Sequence, residues 1–220
     1  MVSNKHPFWQ ALISAILIFG IGLLVGLYIE NYRNQGVENN YIESEINILD
    51  SQILGTLGSK VEVPCDIRKE SLINFADKIY LEANQMEDLD ASSQLTTSLE
   101  VIHKKYDLLR IILLMETIDF KSSCNQSLNN LVYIYQYKDP SIKVKSDQVV
   151  FARKLNDIKQ KYGSEIILIP FAGDLNLTSI DLFKGAYSIN SYPVVIVNEK
   201  YIIQDVEELD KIESILQDNK

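Results

Sequence analysis

The chain opens on an apolar run that no charged residue interrupts. From Pro7 to Ile29 there are 23 residues without Asp, Glu, Lys or Arg, and Ala11–Leu27 is almost wholly Leu, Ile, Val, Ala, Phe and Gly. At about 1.5 Å per residue, a helix of ~22 residues reaches ~33 Å, enough to cross a ~30 Å hydrocarbon layer. Phe8 and Trp9 mark one end and Tyr28 and Tyr32 the other, as an aromatic belt does. The pattern predicts an uncleaved single-pass anchor that meets the lipid bilayer through Phe8–Ile29. A cleaved signal peptide is the competing reading, but the run exceeds the usual h-region and no small-x-small site follows it. Lys5 and the α-amino group precede the run, while Glu30 and Arg33 cancel behind it. The N-terminus is therefore expected in the cytoplasm and the rest of the chain outside the cell membrane. Gly22 and Gly26 make a GxxxG pattern, a helix-packing seam that a homodimer would use.

Behind this run the apolar positions become periodic. Ile42, Ile46, Leu49 and Ile53 recur at intervals of 4, 3 and 4, a helical seam that should stop near Gly55–Pro64. A second helix is expected after Pro64-Cys65-Asp66, with the stripe Leu72, Ala76, Ile79, Ala83 and Met86, ended by the polar run Asp88–Ser93. A third carries Leu95, Leu99, Ile102, Tyr106, Leu109 and Leu113 and ends near Lys121-Ser122-Ser123. Helices of similar length joined by a short connection pair antiparallel. That pairing brings Cys65, before the second helix, beside Cys124, after the third. In an oxidising compartment a disulfide is allowed, and closing so long a loop contributes roughly 4 kcal/mol in the chain-entropy view. Two free thiols and a redox-active pair are the alternatives. Against the redox pair, Cys124 sits at a helix end, where the dipole disfavours a thiolate.

In the last region the pattern turns to strands. Leu131–Tyr137 is rich in β-formers. Ser146-Asp147 can cap a helix with the stripe Phe151, Leu155, Ile158 and Tyr162, stopped by Gly163. Ile166–Ile169 has the look of a buried central strand. A helix over about Ser179–Tyr187 uses Ile180, Phe183 and Tyr187. Val194–Val197, a turn at Asn198-Glu199-Lys200 and Tyr201–Ile203 read as a β-hairpin. Asp205 and Glu208 form a capping box for a last helix carrying Val206, Leu209, Ile212 and Leu216. The order is β-α-β-α-β-β-α, with the first two strands parallel.

With Tyr192-Pro193 immediately before a strand, this order resembles the thioredoxin fold. The stretch Lys184–Val197 (KGAYSINSYPVVIV) is similar to that family's approach to its cis-proline, over about 90 residues of the 220. The resemblance implies a cis Tyr192–Pro193 bond. It also implies a groove at the carboxyl ends of the strands, formed by Tyr137, Asp139, Pro140, Tyr192 and Pro193, that holds extended polypeptide. The chain departs from the family where the Cys-x-x-Cys pair belongs. That stretch is Lys138-Asp-Pro-Ser-Ile-Lys-Val-Lys145, and no cysteine follows Cys124. Dithiol exchange needs an attacking thiolate and a resolving thiol, so this domain is expected to be redox-inactive.

Composition narrows the function further. The chain is 46% hydrophobic and 23% charged, ordinary for a globular protein, but its charge is uneven. Residues 1–36 carry a net +1, residues 37–126 a net −8 and residues 127–220 a net −2. A total of −9 argues against nucleic acid as a partner. The −8 region reads either as solvated helix faces or as a docking face for a basic partner. Two cysteines are too few for a thiolate zinc site. His103, alone outside the membrane flank, supports neither a metal site nor a triad and is expected as an exposed or partly packed helix residue. No glycine-rich phosphate loop is present, so no cofactor is expected. Asn125-Gln-Ser127 and Asn176-Leu-Thr178 are sequons compatible with an extracytoplasmic face.

The expected fold class is α plus α/β: an N-terminal transmembrane helix over residues 1–36, a helical hairpin over 37–126, and a thioredoxin-like domain over 127–220. The expected function is binding or assembly at the cell envelope, with a polypeptide client or envelope protein as partner, rather than catalysis. Thiol–disulfide exchange through Cys65 and Cys124, or a purely structural envelope role, are the alternatives.

Overall fold

The computed structural model describes residues 5–92, 96–124, 126 and 128–218. The side chains of Ile42, Ala83, Met86 and Leu99, and residues Leu95, Asn125 and Ser127, which figure in the patterns above, lie outside what it describes. The chain divides into two units, Met1–Ile46 and Asn47–Lys220, and no division falls at 126/127.

The apolar run and the periodic seam behind it form one helix, α1 (Lys5–Lys60), rather than two in close succession. No proline stands between Pro7 and Pro64, and one interior glycine such as Gly36 costs a helix only about 1 kcal/mol. Within α1, Phe8–Ile29 is long and apolar enough to cross a membrane, and none of it is buried inside the protein.

The helices α2 (Cys65–Ser92) and α3 (Thr96–Cys124) form the expected hairpin. A disulfide joins Cys65, at the start of α2, to Cys124, at the end of α3, so the two run antiparallel. Leu72 and Ile79 of α2 and Tyr106, Leu109 and Leu113 of α3 are buried along the seam, with Ala76 and Ile102 packed beside them.

A four-stranded sheet follows, in the order β2-β1-β3-β4. Its strands are β1 (Asn129–Tyr135), β2 (Ile166–Ala172), β3 (Val194–Val197) and β4 (Tyr201–Ile203). β1 is parallel to β2 and antiparallel to β3, and β3 and β4 are antiparallel. The β3–β4 loop is Asn198-Glu199-Lys200: Asn198 and Glu199 have φ of 50° and 55°, the sign a primed turn requires, and the Lys200 N–H donates to the Val197 carbonyl at 3.1 Å. Helices α4 (Ile142–Tyr162), α5 (Thr178–Ala186) and α6 (Lys211–Asp218) complete the fold.

Side chains of β1 alternate between two cores, which is the two-residue period of a strand covered on both faces. Leu131 and Tyr133 join Phe151, Leu155 and Ile158 of α4 and Ile212 and Leu216 of α6. Val132 and Ile134 join Phe120 and Leu109 of α3, Leu72 of α2 and Ile180 of α5. The hairpin is therefore one wall of the same core as the sheet.

Three expected details differ. β2 is an edge strand, not a central one. It reads as a buried run because α3 and α4 cover its two faces, and only an edge tolerates Pro170. α4 begins at Ile142 rather than after Ser146, because Ser141 is the N-cap and its Oγ accepts the Val144 N–H at 3.3 Å. The Asp205–Glu208 capping box does not form. The Asp205 carbonyl accepts the Glu208 N–H at 3.0 Å, Val206–Glu208 is a 3₁₀ turn, and α6 starts only at Lys211.

Candidate functional site

The carboxyl ends of β1 and β2 are joined by two loops that hold each other. After β1, the Gln136 N–H donates to Gln148 Oε1 (2.8 Å) and Gln148 Nε2 donates back to the Gln136 carbonyl (3.2 Å). After β2, the Asp174 carboxylate accepts two successive N–H groups, from Tyr137 at 2.8 Å and Lys138 at 2.7 Å. These bonds fix the turn in which Asp139 adopts φ 44°, and Pro140 and Ser141 then start α4.

Gly173 precedes Asp174 and supports the other side of the site. Its N–H donates to the Tyr135 carbonyl at 2.8 Å, and its own carbonyl accepts the Tyr192 hydroxyl at 2.7 Å. Lys184 Nζ donates to the same carbonyl and, at 3.2 Å, to Tyr192 Oη, and pairs with Asp181 at 2.9 Å. A Cβ on residue 173 would lie 2.6 Å from Tyr192 Cζ and Oη, so glycine is needed for the ring to lie there. The Tyr192–Pro193 peptide is cis and Pro193 is buried. One step beyond the Ile134–Val194 pair, the register sets Pro193 opposite Tyr135.

Helix α3 closes the third side. The His103 ring lies 4.3 Å from the Tyr137 ring. Glu100 pairs with Lys138 at 2.9 Å and with Lys104 at 2.8 Å. Lys104 and then Lys138 hold its carboxyl below the ordinary range. One turn after His103, Asp107 is fully buried. Its carboxylate accepts the Ala172 N–H at 3.1 Å and pairs with Arg110 at 3.2 Å. Burial pushes Asp107 up to about 6, more than Arg110 and the Ala172 N–H can offset. Tyr135 is raised by its burial and then by the Asp107 charge.

The Asp107 bond also blunts the sheet edge. Since the Gly173 N–H faces β1, strand alternation turns the Ala172 N–H outward. Pro170 shares that outward parity and has no N–H, and the Ile166 carbonyl accepts Lys159 Nζ at 2.8 Å. An edge treated this way resists pairing with another strand.

Of the five residues expected in a groove, Tyr137, Asp139 and Pro140 share one loop, and Tyr192 and Pro193 share another. Gly173-Asp174 links the two loops. Asp139 is exposed, Pro193 is buried and the other three are half-buried. Beside them Ile142 is 92% exposed. Both cysteines of the chain are joined in the disulfide, so no thiol stands at this edge. Among the described residues, no group of three or more His, Cys, Asp or Glu is placed to hold a metal ion.

Asp107, Asp174, Gly173 and Lys184 escaped the sequence reading of this site. Asp107 carried one signal, an acid inside the apolar seam between Tyr106 and Leu109. Asp174 and Gly173 carried none beyond lying in a loop.

At the opposite end of the sheet, Glu199 of the β3–β4 turn accepts from Lys121 at 2.7 Å and from the Asn130 side chain. Asn198 Oδ1 accepts the Asn130 N–H at 3.0 Å. An open cleft of about 290 Å³ lies here, lined by residues that include Lys121, Asn129 and Tyr201. Its polar groups are engaged mainly with one another, which is how a turn is pinned. Comparison with protein-family models and with curated proteins returned no match for the chain.

Proposed function

We propose that the chain is a single-pass membrane protein, anchored through Phe8–Ile29 with its N-terminus in the cytoplasm. It presents outside the cell membrane a thioredoxin-like, redox-inactive module that binds a polypeptide client or an envelope protein. The observation that carries this reading is the sheet. The order β2-β1-β3-β4, with β1 parallel to β2 and a β3–β4 hairpin behind, is the connectivity the resemblance requires. The stretch that corresponds to the family's thiol pair in this reading is Lys138–Lys145, which holds no cysteine. With no thiolate or resolving thiol at that edge, binding is the use left to it. The disulfide supports an oxidising compartment, since structural disulfides are rare in a reducing cytosol.

A photo-crosslinking residue at Asp139 or Ile142 in the intact cell tests the binding role. It should capture a polypeptide, and Tyr192→Ala should reduce that capture. Capture unaffected by Tyr192→Ala and by Pro193→Ala would leave the edge a purely structural feature.

A further inference from the structure

The surface that continues the candidate edge onto α4 carries mostly one sign of charge. Residues 138–154 include five basic and two acidic side chains, a net of +3 in a chain of −9. Ile142, Lys145, Val149 and Arg153 follow at intervals of 3, 4 and 4 along α4, which places them on one line of the helix. All four are exposed, Ile142 at 92% and Val149 at 55%. Lys143, also exposed, stands beside Ile142 in the first turn. Around the sheet Lys138, Lys154, Lys161, Lys184 and Lys211 each pair with a carboxylate. Lys143, Lys145 and Arg153 make no ion pair among the described residues. Between Asp139 and Asp157 the chain has one acid, Asp147. It is half-buried and lies roughly 160° round the helix from Val149. Two bare apolar side chains thus sit among three cations that nothing in the fold neutralises.

We infer that the client of this edge is an acidic polypeptide, which lays apolar side chains on Ile142 and Val149 and sets Asp or Glu against Lys143, Lys145 and Arg153. The inference rests on the reading of the edge as a polypeptide site and adds the chemistry of what binds there. A basic segment would meet like charge on both sides of Ile142, which selects against it. Attraction between exposed charges is screened, so binding weakens as salt rises.

The test uses the full chain in non-ionic detergent micelles and two labelled synthetic peptides. Both carry Leu between charged residues, which are Glu in one peptide and Lys in the other. The Glu peptide should bind at least about tenfold more tightly than the Lys peptide. Lys143→Glu, Lys145→Glu and Arg153→Glu together should reverse that preference. Ile142→Ser with Val149→Ser should weaken the Glu peptide at least about tenfold. These side chains are exposed, and an unchanged circular dichroism spectrum checks the fold of each variant. Equal binding of both peptides would overturn the inference, as would binding of the Glu peptide that survives the triple substitution. So would a photo-crosslinking residue at Val149 that captures lipid or a second copy of this chain. Capture at Asp139 of a polypeptide without an acidic segment would overturn it while leaving the binding role of the edge standing. No capture at either Asp139 or Ile142 would remove the binding role itself, and this inference with it.

Discussion

The two faces of the sheet are closed by different means. One face is covered by α4, which connects β1 to β2, and by α6, which follows the last strand, around Phe151, Leu155 and Ile212. The other is covered by α5 together with the α2–α3 hairpin, a segment that precedes the first strand, around Phe120, Leu109 and Leu72. The disulfide and the buried Asp107–Arg110 pair both belong to the hairpin face. The first face is held by packing and by ion pairs of Lys154 and Lys161 with Asp210 and Glu213, which join α4 to the α6 segment nearer the surface. The face made from a distant segment has a covalent tie and a charged pair whose carboxylate is fully buried. The loop-closure entropy of bringing the hairpin to the sheet is the physical reason such ties have value there.

The largest effects should come from the two cores themselves. Phe120 and Phe151 are both fully buried. Phe120→Ala and Phe151→Ala should each cost about 3–5 kcal/mol, in a single urea transition for the compact unit. If Phe120→Ala moved a separate transition and left the sheet unchanged, the hairpin would be an independent domain and not a wall of the sheet's core. Next, replacing both cysteines by serine should cost about 4 kcal/mol for a loop of this length in the chain-entropy model. The two ends of the disulfide are 59 residues apart in sequence. A loss near zero would mean that packing alone holds the hairpin in place.

Asp107 gives the hairpin face a pH dependence that comes from burial, whereas Glu213 on the other face is held low by Lys161 and Lys154. Burial raises its folded pKa to about 6 from an ordinary 3.8. Between those values the folded chain holds more protons than the unfolded one, so stability falls as pH rises from about 4 to about 6 and is flat above. The fall should be about 3 kcal/mol, and Asp107→Asn should remove it while its side-chain oxygen still accepts the Ala172 N–H. Unchanged pH profiles for the two chains, measured by urea unfolding, would contradict this. The smallest effect belongs to Gly173→Ala. Its added carbon overlaps the Tyr192 ring, so it should cost about 1–3 kcal/mol and displace the ring from the candidate groove. A variant as stable as the parent, with Tyr192 fluorescence unchanged, would show the ring free to move.

The element order, the hairpin pairing of Cys65 with Cys124 and the turn at Asn198-Glu199-Lys200 were legible in the sequence, because periodicity, caps and turn residues act over a few positions. What escaped notice depends on distant neighbours. Ile166–Ile169 has the same pattern in a central strand or in an edge strand covered on both faces, and only the arrival of α3 from outside makes it the latter. Asp107 looked like one more acid of a −8 region. Its burial follows from α3 being apolar around most of its surface and packed on both α2 and the sheet. Ser141 and Ser146 are equal as caps by residue type, and the choice fell to the loop geometry that Asp174 fixes. The candidate site was half legible. Tyr192 and Pro193 stood out from the resemblance, whereas Gly173, whose carbonyl accepts the Tyr192 hydroxyl, carries no local signal.

One measurement reaches the central claim, that a disulfide-stapled module stands outside the membrane. Intact cells expressing the full chain are treated with a membrane-impermeant maleimide, with and without prior treatment by an impermeant reductant, and the mass added to the chain is read on a gel. No labelling is expected before reduction, and both Cys65 and Cys124 should be labelled after it, without permeabilisation. Labelling without reductant, or only after the cells are opened, would contradict it.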